Sequence, residues 1–206
     1  MKLFRYRFFI VSLFICCIHS TTVFAQRSDK INTAATHILR EEYVEAEELL
    51  TKALKENPKS EDALFYRAKC YYALKRLKDA LADCNELLKI NTANAEGYYL
   101  RALCKTALNS YQAAEKDYSD AIILKPEEEH FYAARGQNYF LMGDYDNAIN
   151  DYSLAIQKND TEGKYYYKRG ITLYIISSKE MACRDIVKSA ELGYAEAFEI
   201  LKFYCK

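Results

Sequence analysis

Along residues 131–160, FYAARGQNYFLMGDYDNAINDYSLAIQKND, apolar and polar positions follow a helical spacing on both sides of Met142-Gly143-Asp144, which predicts two helices folded around that turn. The same skeleton returns upstream in YYLRALCKTALNSYQAAEKDYSDAIILKP (98–126) and in LFYRAKCYYALKRLKDALADCNELLKINT (64–92). Aligned, the copies form blocks of 34 residues at Arg27–Ser60, Glu61–Asn94, Ala95–Glu128, Glu129–Glu162 and Gly163–Glu196. A fixed period of this length marks a stacked-repeat protein.

The blocks agree in chemistry at fixed offsets rather than in identity. The eighth position holds Ala34, Ala68, Ala102, Gly136 and Gly170, and the twentieth holds Ala46, Ala80, Ala114, Ala148 and Ala182. Small residues on both arms let two helices cross closely. Tyrosines fill the remaining holes: Tyr98, Tyr132 and Tyr166 at the fourth position, Tyr43, Tyr111 and Tyr145 at the seventeenth, Tyr118 and Tyr152 at the twenty-fourth. Ala53, Ala121 and Ala155 leave room for the following block, and Pro58 and Pro126 stand where a helix must stop. Each hairpin has an apolar face it cannot bury alone, so stacking is expected to build the core.

Taken together these offsets resemble the tetratricopeptide repeat family over essentially the whole chain after residue 26, most closely in block four. The resemblance implies an all-α, right-handed superhelical solenoid of about five helical hairpins, with a degenerate first helix in block one and a divergent block five. It departs from the family pattern at Lys105, Cys84 and Lys179, where aromatic residues are usual. After Leu192-Gly193, residues 194–206 read as an amphipathic capping helix with Ala197, Ile200, Leu201 and Tyr204 on one side.

A second pattern runs through the same blocks. Arg67 and Asp83, Arg101 and Asp117, Arg135 and Asp151, and Arg169 and Asp185 lie on opposite arms at equal distance from the turn. Antiparallel arms bring each pair face to face, and a bidentate Arg–carboxylate contact orients two helices well. These are expected to be structural ion pairs rather than a ligand ladder.

The first 25 residues form a separate unit: Lys2, Arg5 and Arg7, the apolar run FFIVSLFICCI (8–18), and Val23-Phe24-Ala25 ahead of Gln26. This is the order of a signal peptide cut after Ala25. The run is shorter than the about 20 residues a membrane span needs, so no stable membrane insertion is expected once the leader is removed. Acylation at Cys16 or Cys17 is the weaker alternative, since Ile15 or Cys16 stands where a small residue belongs. Without the leader the chain carries about three more acidic than basic side chains, which gives no reason to expect nucleic acid. Export implies the periplasm, with secretion or attachment to the envelope as alternatives. The closing stretch MACRDIVKSAELGYAEAFEILKFYC also resembles the ends of small repeat proteins exported by Bacteroidota-type bacteria.

Five cysteines follow the leader. Cys183 precedes the Leu192-Gly193 turn and Cys205 follows it at similar distance, so an antiparallel cap would bring the two together as a disulfide; Cys70, Cys84 and Cys104 sit at interior offsets and read as small apolar fillers. The alternative for Cys183 and Cys205 is two separately buried thiols.

The sequence offers no catalytic constellation: HExxH, CxxC, a nucleophile elbow and a phosphate-binding glycine loop are all missing, and His37 and His130 are the only histidines beyond the leader. No enzyme activity, cofactor or metal is expected. The run Glu127-Glu128-Glu129 opens a helix, where carboxylates complement its dipole, and Asn159-Asp160-Thr161 fits a short glycosylation pattern that arises often by chance.

What the family offers is the inner face of its first helices. The fifth, ninth and twelfth positions carry Phe65, Lys69 and Tyr72; Tyr99, Leu103 and Thr106; Ala133, Gln137 and Phe140; and Tyr167, Ile171 and Tyr174. Such an aromatic, mildly polar groove suits a protein or peptide partner, and points to a non-enzymatic scaffold or adaptor of the cell envelope. Alternatives are glycan or peptidoglycan recognition by the tyrosines, or service as an accessory subunit of an envelope enzyme. Family members that clamp a C-terminal carboxylate place Lys and Asn on one first helix, Asn on the next, and Lys with Arg on the third. Here Ile31, Ala35, Tyr66, Glu96 and Leu100 occupy those offsets, and moving one block along gives Phe65, Lys69, Leu100, His130 and Ala134, so the clamp is not expected.

Overall fold

The computed structural model describes residues 29–205, apart from the side chains of Phe203 and Tyr204. The expected leader over residues 1–25 with Cys16 and Cys17, the opening Arg27 of block one, the expected Tyr204 contact and Lys206 lie outside the described residues. The described chain is helical throughout: α1 (29–39), α2 (Tyr43–Glu56), α3 (Glu61–Ala73), α4 (Leu77–Ile90), α5 (Ala95–Ala107), α6 (Tyr111–Leu124), α7 (Glu129–Met142), α8 (Tyr145–Lys158), α9 (Gly163–Ile175), α10 (Lys179–Glu191) and α11 (Ala195–Tyr204). It divides into two compact units, the first ending at Asp83 and the second starting at Cys84, inside α4.

The same device closes every first-helix turn. Glu41, Lys75, Asn109, Gly143 and Ser177 all take left-handed backbone conformations, with φ of 61°, 61°, 59°, 79° and 67°. The amide of the next residue then reaches back to a carbonyl of the finished helix, as Arg76 N does to Tyr71 O (2.8 Å) and Ser178 N to Leu173 O (2.9 Å). Only Gly143 adopts this conformation without steric cost. At the opposite ends, side chains cap the following helix: Ser60 Oγ accepts from Ala63 N, and Asn94 Oδ1 accepts from Gly97 N at 2.8 Å.

In the first unit the small residues Ala34, Ala46, Ala68 and Ala80 are fully buried, with Leu50 and Leu64 filling beside them. Arg67 Nε donates to Asp83 Oδ2 at 2.7 Å and its Nη2 to Oδ1 at 2.8 Å, while Nη1 reaches Thr51 Oγ1 at 3.2 Å. The Tyr71 hydroxyl donates to Glu47, which also receives Arg76, and the Arg76 guanidinium lies 4.3 Å from the Tyr71 ring centre.

In the second unit α5 packs on α6, α7 on α8, α9 on α10 and α10 on α11. Ala102 meets Ala114 beneath the fully buried ring of Tyr118. A Cβ placed on Gly136 would stand 3.1 Å from the Tyr152 ring and 3.2 Å from Asp151 Cβ, so a side chain there would have to push these neighbours back by a few tenths of an ångström. Arg101, Arg135 and Arg169 each grip the aspartate of their own hairpin through two bonds of 2.7–2.9 Å, and each donates a third to the preceding hairpin: to Asn85, Ser119 and Ser153. The ion pairs therefore also set the register between neighbours, which the sixteen-residue spacing alone does not disclose. Lys105, the departure from the family's aromatic position, adds a second cation to Asp117 at 2.6 Å.

At the C-terminal end Ala197 is buried against Ile186 and Ala190, with Ile200 and Leu201 packed around it. Cys205, just beyond α11, comes within 5.4 Å of Cys183 between Cα atoms, inside the span a disulfide can bridge. Cys70, Cys84 and Cys104 are fully buried. Burial pushes the Cys70 thiol up to about 11 and the Cys104 thiol to about 12, which keeps both protonated and inert near neutral pH.

Candidate functional site: an aromatic cavity with two lysines

The second unit holds a cavity of about 330 Å³ where α5, α7 and α9 face one another. Tyr99 and Leu103 come from α5, Ala133, Ala134 and Gln137 from α7, and Lys164, Tyr165 and Lys168 from α9, with Tyr152 at the floor and His130 and Glu162 at the rim. The Tyr99 ring is held in place by His130 (edge-on, centres 5.0 Å apart), Phe131 (4.9 Å) and Tyr118 (6.1 Å). Tyr165 is almost wholly buried; its hydroxyl is pushed up to about 12 by burial, with Glu129 and Glu162 adding to the effect. It therefore stays neutral and contributes a hydrophobic wall.

Polar chemistry in the cavity centres on Gln137. Its Oε1 accepts from Lys168 Nζ and, at 3.5 Å, from the Tyr152 hydroxyl. Among the described residues no carboxylate pairs with Lys168. Burial lowers its proton affinity, and the neighbouring Lys164 lowers it further. A half-buried ammonium whose partner is a neutral amide lacks the compensation that buried charges normally have. The nearby Glu162 turns its Oε1 to the Lys164 backbone amide, at 3.2 Å.

The expected groove residues separate into several places. Tyr99, Leu103, Ala133 and Gln137 line the cavity. Thr106 turns inward instead and donates to Asn138 Oδ1 at 2.9 Å, within reach of the Tyr118 hydroxyl. Phe140 packs on Tyr145 across its own hairpin turn, with centres 5.7 Å apart. Tyr167 rests on Tyr194 at the base of the cap (5.1 Å), and Ile171 and Tyr174 border a second cavity beneath α11. Phe65, Lys69 and Tyr72 belong to the first unit, where Lys69 Nζ lies 5.7 Å from the Phe65 ring centre. Within the second unit, the hairpin turn and the cap thus claim the rings of Phe140 and Tyr167.

What the sequence reading missed is His130, Lys164 and Lys168, at the second and sixth positions of their blocks. The signal was available, because positions two, five, six and nine share one helix face at spacings of three and four. It also bears on the carboxylate clamp. Moving the clamp offsets a second block along places Tyr99, Leu103, Ala134, Lys164 and Lys168 there, so the cationic pair of the third helix is present while the Lys and both Asn are replaced.

Glu128, Glu129 and His130 bring two carboxylates and a ring nitrogen within 4.8 Å of one another, the only such group among the described residues. All three come from one helix start, and His130 Nδ1 lies 3.5 Å from Glu128 Oε2, so the cluster is accounted for as neighbouring side chains at the rim. No helix among the described residues is long and apolar enough to cross a membrane.

Two segments of the sequence, residues 37–104 and 129–160, match family models described as tetratricopeptide repeat. No curated protein matches. Solved structures share the fold. TTC0263, a thermophilic TPR protein of Thermus thermophilus, superposes with a TM-score of 0.69 at 19% identity, over 87% of this chain and 97% of that one. A MamA fragment from Desulfovibrio magneticus RS-1 gives 0.74 at 16% identity, over 81% and 94%. YrrB, described as a TPR protein with an unusual peptide-binding site, gives 0.68 at 18% identity, over 84% and 91%. At these identities the likeness concerns the fold: the chain shares the all-helical solenoid of consecutive packed helical pairs seen in these tetratricopeptide-repeat structures.

Proposed function

We propose that the chain is a non-enzymatic interaction scaffold of the bacterial envelope, exported through its leader, that binds an extended protein segment carrying an acidic side chain. Tetratricopeptide-repeat proteins are generally protein-interaction scaffolds, and YrrB is named for a peptide-binding site. The observation that carries the reading is Lys168: half-buried in an aromatic-walled cavity, hydrogen-bonded only to an amide, beside a second lysine. An incoming carboxylate would supply the missing counter-charge while Tyr99, Leu103 and Ala134 take the apolar residues beside it. A sugar ring would need exposed aromatic faces, and the rings of Tyr99 and Tyr167 are instead packed against His130, Phe131 and Tyr194. A periplasm of Bacteroidota type is the compartment we favour, on the leader and the closing sequence alone.

The test uses a panel of extended peptides with blocked ends, identical except for a central Glu or Gln between apolar residues, measured by fluorescence polarisation. The Glu peptides should bind with an affinity that falls as salt rises. Lys168→Gln should weaken them about tenfold, the value of one charge-assisted hydrogen bond of about 1.5 kcal/mol. Equal binding of Glu and Gln peptides would remove the acidic preference, and binding of none would remove the groove reading itself.

A further inference from the structure

We propose that Cys183 and Cys205 form a reducible latch that holds the C-terminal helix on the last hairpin, and that a dithiol reductant opens it. This inference stands independently of the partner bound in the lysine cavity.

The docking of α11 is thin. It spans ten residues, below the length at which a helix persists without tertiary support. Ala197 is its one fully buried apolar residue among those described; Ile200 and Leu201 are half-buried, and Phe198 is 48% exposed. The contact also fails to close. A mostly apolar cavity of about 220 Å³ remains between α9, α10 and α11, walled by Gly170, Ile171, Ala182, Ile186, Ile200 and Cys205. Atoms lining such a space forfeit the dispersion contacts that a filled interface would give. Besides this small apolar contact the helix is held at its two ends, by the Gly193 turn on one side and by Cys205 beside Cys183 on the other.

The sulfur pair is placed where exchange can reach it. Both cysteines line a wide, open depression along α10, together with the cations of Lys179, Arg184 and Lys188 and the carboxylates of Glu180 and Glu191. Glu191 lies 3.8 Å from Lys188, and the lining as a whole carries three cations against two carboxylates. A thiolate approaching the pair meets a surface with more cations than carboxylates, which favours its approach. Cys70, Cys84 and Cys104, buried in the stack, have no such approach.

The step balances as an ordinary exchange. A thiolate of the dithiol attacks Cys205 Sγ, the sulfur–sulfur bond breaks, and Cys183 leaves as a thiolate. The second thiol of the reductant then displaces Cys205 and closes the reductant's own disulfide. Two electrons and two protons pass to the cysteines, which end as thiols. Release of α11 uncovers Ile171, Ile186 and Ala190, and frees the Tyr167 ring from Tyr194.

The full chain, purified under oxidising conditions, is compared with and without dithiothreitol by hydrogen–deuterium exchange, with intact mass reporting the two-proton gain. In the oxidised protein the amides of α11 should be protected. On reduction they should exchange at least tenfold faster, while those of α5 to α8 are unchanged. Cys205→Ser, a substitution at an end position that leaves the hairpins whole, should exchange like the reduced protein and ignore dithiothreitol. Three results would each overturn the proposal: free thiols at Cys183 and Cys205 in the oxidised protein, a bond that resists dithiothreitol while the protein is folded, or full reduction with α11 still protected.

Discussion

At the scale of single residues, Lys168 works against the fold that carries it. Its folded proton affinity is lowered by burial first and by Lys164 second, so the charged form is less welcome in the folded chain than in the unfolded one. The sign follows: the penalty is full below the folded pKa and disappears as pH rises past the ordinary lysine range. Lys168→Met keeps the stem and removes the charge. It should raise the melting temperature at pH 7 by a few degrees, a gain that shrinks toward pH 11, while acidic peptides bind about tenfold more weakly. A lower melting temperature would mean that the ammonium is compensated after all. Ala148 shows the opposite case, a residue chosen only for its size. It is fully buried on the arm opposite Gly136, where even an added Cβ would press on Tyr152 and Asp151 at 3.1–3.2 Å. Ala148→Leu should cost about 1–3 kcal/mol through overpacking, read as a lowered midpoint in urea with an unchanged slope.

At the scale of elements, the hairpin turn repeats its geometry more faithfully than its sequence. Five first helices end in the same left-handed residue, yet only Gly143 is a glycine. A side chain in that conformation costs roughly 1–2 kcal/mol, partly offset by the freedom that glycine loses on folding. Glu41→Gly and Ser177→Gly should therefore each stabilise the protein by about 0.5–1 kcal/mol, and thermal melts of the two variants and of their combination check this. The arginine ladder joins elements in a second way, since each guanidinium binds one hairpin's aspartate and the previous hairpin's polar residue. Asp151 is about 1% exposed. Arg135→Ala leaves that carboxylate buried without its partner, which should cost about 3–5 kcal/mol. Adding Asp151→Ala should recover a substantial part of the loss. A double variant as unstable as the sum of the single ones would show that the pair does not act as a unit.

At the scale of the whole molecule, the lysine cavity is lined wholly by residues of the second unit, from Tyr99 to Lys168. The first unit carries its own aromatic group around Phe65, Tyr66 and Lys69. A short acidic peptide should consequently depend on Tyr99 and ignore Phe65. Tyr99→Ala should weaken it severalfold with helicity retained, whereas Phe65→Ala should leave its affinity within about twofold. Equal losses from both would require that even short peptides engage both units.

The sequence by itself determined the repeat. Small residues at the eighth and twentieth positions, tyrosines at fixed offsets and arginine–aspartate pairs across four of the five turns can be read from spacing because they follow the helical period and the block length, both local properties. The closing helix after Leu192-Gly193 could be read for the same reason. The site was legible only in part. Tyr99, Leu103 and Gln137 lie where the helix face predicts, but whether an aromatic at the same offset faces a cavity, its own turn or the cap depends on what its neighbours present. Phe140 meets Tyr145, and Tyr167 meets Tyr194, through contacts no period encodes. The tertiary structure alone decided that Lys168 is half-buried and paired only with Gln137, because its burial is set by helices from three blocks and its missing counter-charge is a property of the space they enclose.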